Sequence, residues 1–339
     1  SGSGTAASKN VANGIAMSSN GTLALVDGTG LASNYSLNST VINISKRVLN
    51  SSGSKLYDAN TNALASAITL SNLASTETLV DSGTAAISSA NVGSYTISNL
   101  TGISIANGTN GGLASNYTLT GGTHSFTVNQ RPLNATLARQ YDATTTSAGS
   151  TLSSFDALQG GETLTMTGSG TAASKNVANG IAMASNGTLA LANGTGAASN
   201  YSLNSTVINI SKRVLNSSGS KTYDANTNAL ASAITLSNLA STETLVDSGT
   251  ASTSSANAGS YTISNLTGVS IANGTNGGLA SNYTLTGGTH NFTVNRRVVG
   301  VSGTRLYDAT TNAAASDLAT HANLVGSQTL SLSGTGTIA

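Results

Sequence analysis

His124-Ser125-Phe126-Thr127-Val128-Asn129-Gln130-Arg131-Pro132-Leu133 is the stretch that decides the fold class. His124, Phe126, Val128 and Gln130 alternate with Ser125, Thr127 and Asn129, the period of two that a half-buried β-strand requires. Strand-like residues continue through Arg131 to Leu133 where a flexible linker would be Gly/Ser- or Pro-rich, so one segment is expected to run directly into the next. Working outward, Tyr95 shares a face with Ile97 and Tyr117 with Leu119, while Thr and Ser supply the outer faces. Asn-Gly pairs at Asn13-Gly14, Asn20-Gly21, Asn107-Gly108, Asn186-Gly187 and Asn273-Gly274 are expected as tight hairpin turns, because that pair accepts positive φ at both central residues. No stretch sustains a capped helical stripe. The chain therefore reads as all-β, built of β-sandwich-like or partly closed barrel units. The alternative, a parallel β-solenoid, is disfavoured by the hairpin signals.

The same pattern returns along the chain. Tyr57-Asp58-Ala59 recurs at Tyr141, Tyr223 and Tyr307, and Ala-Ser-Asn-Tyr places Tyr35, Tyr117, Tyr201 and Tyr283 in the same register. Steps of 82 and 84 residues alternate, giving a Gly/Asn-rich unit of about 83 residues in two versions. Full repeats are expected at 47–130, 131–212 and 213–296, flanked by a back half at 1–46 and a front half at 297–339. Residues 1–130 and 167–296 differ at only 12 positions, whereas neighbouring repeats share little beyond their markers, a difference that suppresses strand exchange during folding. Units of this length suit small domains with their own cores, strung into an extended rod. The thin supply of large apolar residues makes each unit modestly stable alone. The half-units would leave Leu23, Leu25, Val41 and Ile44 exposed. Hence the chain is expected either to be a window on a longer array or to join further copies head to tail in a filament.

Composition excludes several function classes. Charged residues make up 7% of the chain against about 25% in an ordinary domain. With a net charge of +1, the chain has no field to hold a nucleic acid. There is no Cys, hence no disulfide, thiolate metal site or cysteine nucleophile, and no apolar run approaches a membrane span. Every basic residue falls in register, seven at repeat junctions, four two residues before the marker tyrosines, and Lys9 with its equivalent Lys175. They are expected to solvate junctions and strand edges. Low charge also predicts stability that is insensitive to salt and pH.

Candidate sites are few. Asp58-x-Asn60-x-Asn62, repeated as Asp224-x-Asn226-x-Asn228, has the oxygen spacing that opens a Ca²⁺ loop, but lacks the following Gly and the closing Glu. An Asp that starts a turn by accepting backbone N–H bonds explains it without metal. Asp58, Glu77 and Asp81 are the main acids of a repeat, and His124, His290 and His321 are the only histidines. The first two are expected on the solvent face of their strand. No Ser–His–acid or paired-carboxylate cluster is visible, so neither an enzyme nor a cofactor is expected. Lys9 and Lys175, each followed by Asn, could serve a Lys–Asn isopeptide bond, though an exposed strand-end lysine is the simpler reading. Nineteen Asn-x-Ser/Thr triplets, among them Asn20, Asn34, Asn38, Asn43, Asn50 and Asn291, follow from composition and are also potential glycan acceptors. Ten tyrosines and no Trp give a weak inventory for stacking sugars, and the marker tyrosines repeat in register as core residues do.

Lys55-x-Tyr57-Asp58, then Asn91-Val92-Gly93 or Lys9-Asn10-Val11, then Asn116-Tyr117-Thr118-Leu119, resemble the YDG repeats of large secreted bacterial adhesins similar to filamentous haemagglutinin, which leave the cell by two-partner secretion. The resemblance covers essentially the whole chain. It departs in one respect: the Gly of Tyr-Asp-Gly is Ala59, Ala143, Ala225 and Ala309, which argues against a special backbone conformation there. It implies an extracellular protein, at the bacterial surface or shed into biofilm, whose repeats hold other domains away from the cell. The expected function is thus a non-enzymatic stalk segment of a surface adhesin, with neighbouring repeats or further copies as partners. A multivalent glycan- or matrix-binding module is the alternative.

Overall fold

The computed structural model describes residues 2–97, 100–263 and 266–337. The described chain is all-β, with strands joined by turns and single three-residue 3-10 turns. Repeat 47–130 forms two small sheets and a separate two-stranded pair. One has the order Ile68–Ser71, Asn50–Leu56, His124–Asn129, Gly93–Thr96, and the other Ile103–Asn107, Leu79–Ala86, Asn62–Leu64. Pairing is antiparallel except where the repeat closes on itself: His124–Asn129 runs parallel to Asn50–Leu56, and Tyr117–Thr118 parallel to Arg47–Val48. The same arrangement recurs in 213–296. It is a sandwich-like unit and not a solenoid coil.

The closing pair shows why composition matters. Phe126 faces Gly53 across the parallel register. A Cβ on Gly53 would lie 2.3 Å from the Ala67 carbonyl oxygen and 2.8 Å from the Phe126 ring. Only glycine lets the ring lie across that strand. Beneath it, Ala63, Ile68, Ala85, Ile103, Phe126 and Val128 from both sheets form the core.

One core stays within its repeat, that of Ala229, Ile234, Ala251, Ile263, Val269 and Phe292 in 213–296, while another is shared. The cluster containing Tyr57 and Phe126 continues without a break into Leu133, Leu164 and Tyr201 of the next repeat. By compactness the chain forms two units, 1–135 with 154–167 and 190–205, and 136–153 with 168–189 and 206–339. All five divisions fall inside repeat 131–212, whose strands Arg131–Gln140 and Tyr201–Ser211 each contribute to both units.

Three local expectations are corrected. Asn13-Gly14 is not a hairpin turn: it lies within strand Ala12–Ser19, where Gly14 at φ 65 marks a register shift. In the Asn-Gly-Thr-Asn-Gly segment the left-handed pair is Asn110-Gly111 (φ 55 and 85), while Asn107 instead accepts the Ala114 N–H. His124 and His290 are buried, not solvent-facing. The His124 Nε2–H donates to the Leu119 carbonyl at 2.7 Å, which leaves Nδ1 to accept the Ser51 hydroxyl at 2.9 Å. Such a histidine fastens the closing strand pair.

Candidate functional site

The side chains with the most organised chemistry gather where one repeat meets the next. Tyr57 follows strand Asn50–Leu56, and Tyr201 follows the 3-10 turn Ala198–Asn200 of the next repeat. Tyr57 donates its hydroxyl to Glu162 Oε1 and Tyr201 donates to Oε2, each at 2.6 Å. The Tyr201 oxygen also accepts the Gln159 N–H. The rings meet edge to face with centroids 5.2 Å apart. The joint at Glu243 repeats this geometry with Tyr141 and Tyr283, both at 2.6 Å, and rings 5.4 Å apart. There Lys175 adds an ion pair at 3.2 Å to a nearly buried carboxylate. At Glu77 the donors are Tyr117 and Lys9, at 2.7 and 3.1 Å.

Burial, reinforced by the hydrogen bond to a carboxylate, pushes Tyr57, Tyr141 and Tyr283 up from 10.0 to about 12. Tyr117 and Tyr201 move the same way for the same reasons. Hydrogen bonds from Tyr117 and then Lys9 hold Glu77 below its usual value. For Glu243, burial acts upward, but Tyr141, Tyr283 and Lys175 together outweigh it and leave the carboxyl below its usual value.

An amide bridge accompanies each clasp. Asn200 accepts the Val92 N–H and donates to Asn91 Oδ1, both at 2.9 Å. Asn116 makes the same pair of bonds with Val11 and Asn10, and Asn282 with Val177 and Asn176. A junction arginine completes the joint: Arg131 Nε donates to the Tyr57 carbonyl, and Arg213 and Arg297 reach the Tyr141 and Tyr223 carbonyls. Arg213 also grips Asn238 through its carbonyl and its side-chain oxygen, while the Asn238 amide donates to the Val214 carbonyl. Arg131, Arg213 and Arg297 are therefore bound into the joints and do not merely solvate them.

The oxygens of the calcium-like loop converge on an ammonium. Lys55 Nζ lies 2.7 Å from Asp58 Oδ1, 2.8 Å from the Asn60 carbonyl, 3.0 Å from Asn60 Oδ1 and 2.8 Å from the Asn62 carbonyl. Lys221 does the same with Asp224, Asn226 and Asn228. In the alternate version Arg139 and Arg305 pair with Asp142 and Asp308 and reach the Thr144 and Thr310 carbonyls. Each Asp also accepts the N–H two residues on, the turn-starting role foreseen for it. No group of acids and histidines suited to a metal occurs among the described residues. The alanine after each of these aspartates is left-handed, with φ between 61 and 66, so the special conformation survives the loss of glycine.

Of the marker tyrosines, Tyr57, Tyr117, Tyr141, Tyr201 and Tyr283 are buried, and Tyr223 is half-buried with Gln328 donating to its hydroxyl. Tyr35 and Tyr307 are 70% and 94% exposed, contrary to a core role, because no described residue packs around them as Glu162 and its partner tyrosine do around Tyr201. The clasp carboxylates Glu162 and Glu243 are the residues that sequence reasoning missed. Their signal was their register with Glu77 and Gln328, at steps of 85, 81 and 85.

The YDG domain family profile matches three successive segments, residues 45–125, 128–208 and 211–290. No curated protein and no solved structure matches the chain.

Proposed function

The chain belongs to the YDG domain family, and we propose that it is a non-enzymatic stalk segment of a secreted bacterial surface adhesin or extracellular fibre, spacing and stiffening. The carrying observation is the joint. Tyr, Glu, Asn and Arg side chains from consecutive repeats close on one another at the Glu162 and Glu243 joints, and at Glu162 the apolar core runs through. Where a flexible string of domains would place Gly or Pro, this chain places buried hydrogen bonds. The glycan-binding alternative gains little support. The buried tyrosines are spent inside joints, and Tyr95 and Tyr261 donate to the Asn91 and Asn257 carbonyls of their own turns. Glu77, Glu243 and His124 are likewise occupied in holding structure.

Deleting residues 131–296, one 166-residue period, tests the reading. A spacer shortens by one period, keeps its melting behaviour and shows no binding to a panel of immobilised glycans before or after. Glycan binding that weakens steeply on the deletion would favour the multivalent module instead.

A further inference from the structure

We propose that repeats 47–130 and 213–296 are load-bearing elements, each closed by a parallel clamp of its first and last long strands that resists tension along the chain. The proposal takes the source of tension from the stalk reading, and its mechanism from strand geometry alone.

Direction decides how such a pair is loaded. Asn50–Leu56 and His124–Asn129 run parallel over six residue pairs, from His124 opposite Ser51 to Asn129 opposite Leu56. They are the central pair of their four-stranded sheet. The chain therefore enters this ladder at one end and leaves it at the other. Tension pulls the two strands lengthwise past each other, and the hydrogen bonds between them share the load. An antiparallel closing pair would be pulled from one end and would open bond by bond. The Leu49 N–H extends the contact to the Thr118 carbonyl, and the Tyr57 N–H to the Asn129 carbonyl, each at 2.9 Å. Asn216–Thr222 and His290–Asn295 repeat the parallel pairing in 213–296.

Side chains key the register of the clamp. The Phe126 ring lies over Gly53, and the Phe292 ring over Gly219, each so close that a Cβ on the glycine would stand 2.8 Å from the ring. Sliding by two residues is the smallest slip that keeps the faces matched. It would bring the Phe126 ring onto Ser51 or Lys55, whose Cβ atoms occupy the space the ring needs. At the start of the ladder the Thr123 N–H donates to Asn50 Oδ1, and the Ser51 hydroxyl to His124 Nδ1, both at 2.9 Å. Thr289 with Asn216, and Ser217 with His290, do the same. Ring, side-chain bonds and ladder must give way together, which raises the barrier that governs forced unfolding. Once the clamp yields, residues 57–123 are freed, roughly 220–240 Å of chain at about 3.3–3.6 Å per residue.

The chain contains no cysteine, so pulling handles can be placed by pairs of introduced ones in the full 339 residues. Ser52→Cys/Asn129→Cys draws the clamp lengthwise, whereas Ser52→Cys/Thr120→Cys draws the same strands apart from one end. All three positions are exposed. Denaturant unfolding of the two pairs checks that they are equally stable, so that a difference in force reports geometry. At one loading rate the lengthwise pair should need at least about twofold more force, as load shared among several hydrogen bonds requires. Phe126→Leu added to both pairs should narrow that gap, because only lengthwise slip meets the Gly53 notch. Equal forces in the two geometries overturn the clamp, and a gap untouched by Phe126→Leu overturns the keyed register. A spacer need not bear tension, so either result leaves the stalk reading to its own deletion test.

Discussion

Tyr57 and Tyr201 belong to consecutive repeats, yet their rings meet edge to face and their hydroxyls divide the two oxygens of a single carboxylate, that of Glu162. The contact links residues that are far apart in sequence and makes this repeat boundary a small buried polar network, as Tyr141, Glu243 and Tyr283 do at the next. Such networks are stabilising when every member is satisfied and costly when one is removed.

Glu162→Ala should therefore cost about 2–4 kcal/mol in denaturant unfolding, because it strands two buried hydroxyls at about 1–3 kcal/mol each. In a Tyr57→Phe/Tyr201→Phe background the same substitution should cost much less, since the carboxylate has already lost its donors. Equal costs in both backgrounds would show that the three groups do not act together.

The joints give the chain a pH dependence that its 7% charge does not suggest. Tyr57, Tyr141 and Tyr283 are raised to about 12 in the fold, from 10.0 when unfolded. Their contribution is complete below pH 10 and is lost progressively towards pH 12. On the acid side Glu243 is lowered from 4.5, so its contribution is present above that value and is lost as pH falls below it. Tyrosinate absorbance and β-sheet circular dichroism should change together above pH 10. Tyrosines that ionise while the sheet signal persists would contradict the clasp. Lys175→Met should move acid unfolding to higher pH, because an ion pair that favours the Glu243 anion is gone.

Calcium and chelator should leave the melting temperature unchanged, since the Lys55 and Lys221 ammonium groups already stand among the loop oxygens. Lys55→Met removes the donor to Asp58 and Asn60 and should cost about 1 kcal/mol, allowing for partial solvent access. If calcium stabilises the wild type by several degrees, the ammonium is not the native occupant.

Strand type was legible in the alternation around Phe126, and the repeats in the marker tyrosines, because both are patterns along the chain. The joints were not, since a clasp joins Glu162 to tyrosines 105 residues before it and 39 after it. Register did show that the basic residues were placed with purpose, but exposure at edges was the reading it supported. The structure spends Arg131 and Arg213 on carbonyls of the preceding repeat instead. His124 carries a finer lesson. Its alternation with Ser125 put it on the Phe126 face, and period outweighed polarity once Ser51 and the Leu119 carbonyl satisfied both ring nitrogens.

The alanine in Tyr-Asp-Ala is the position where stability is most readily gained. Ala59, Ala143 and Ala225 hold φ of 62, 66 and 61, which costs an L-residue roughly 1–2 kcal/mol that glycine does not incur. Glycine returns about 0.5–1 kcal/mol of that through the greater freedom of its unfolded chain. Each Ala→Gly change should then stabilise by about 0.5–1 kcal/mol. The three sites lie in separate loops, so the triple variant should gain close to the sum. Ala59→Val is the control: a β-branched residue tolerates this region worst, and it should destabilise where glycine stabilises. Chemical denaturation of the single and triple variants decides the matter. A triple glycine variant no more stable than the wild type would mean that the Lys55 and Arg139 contacts, and not backbone preference, set the energy of this turn.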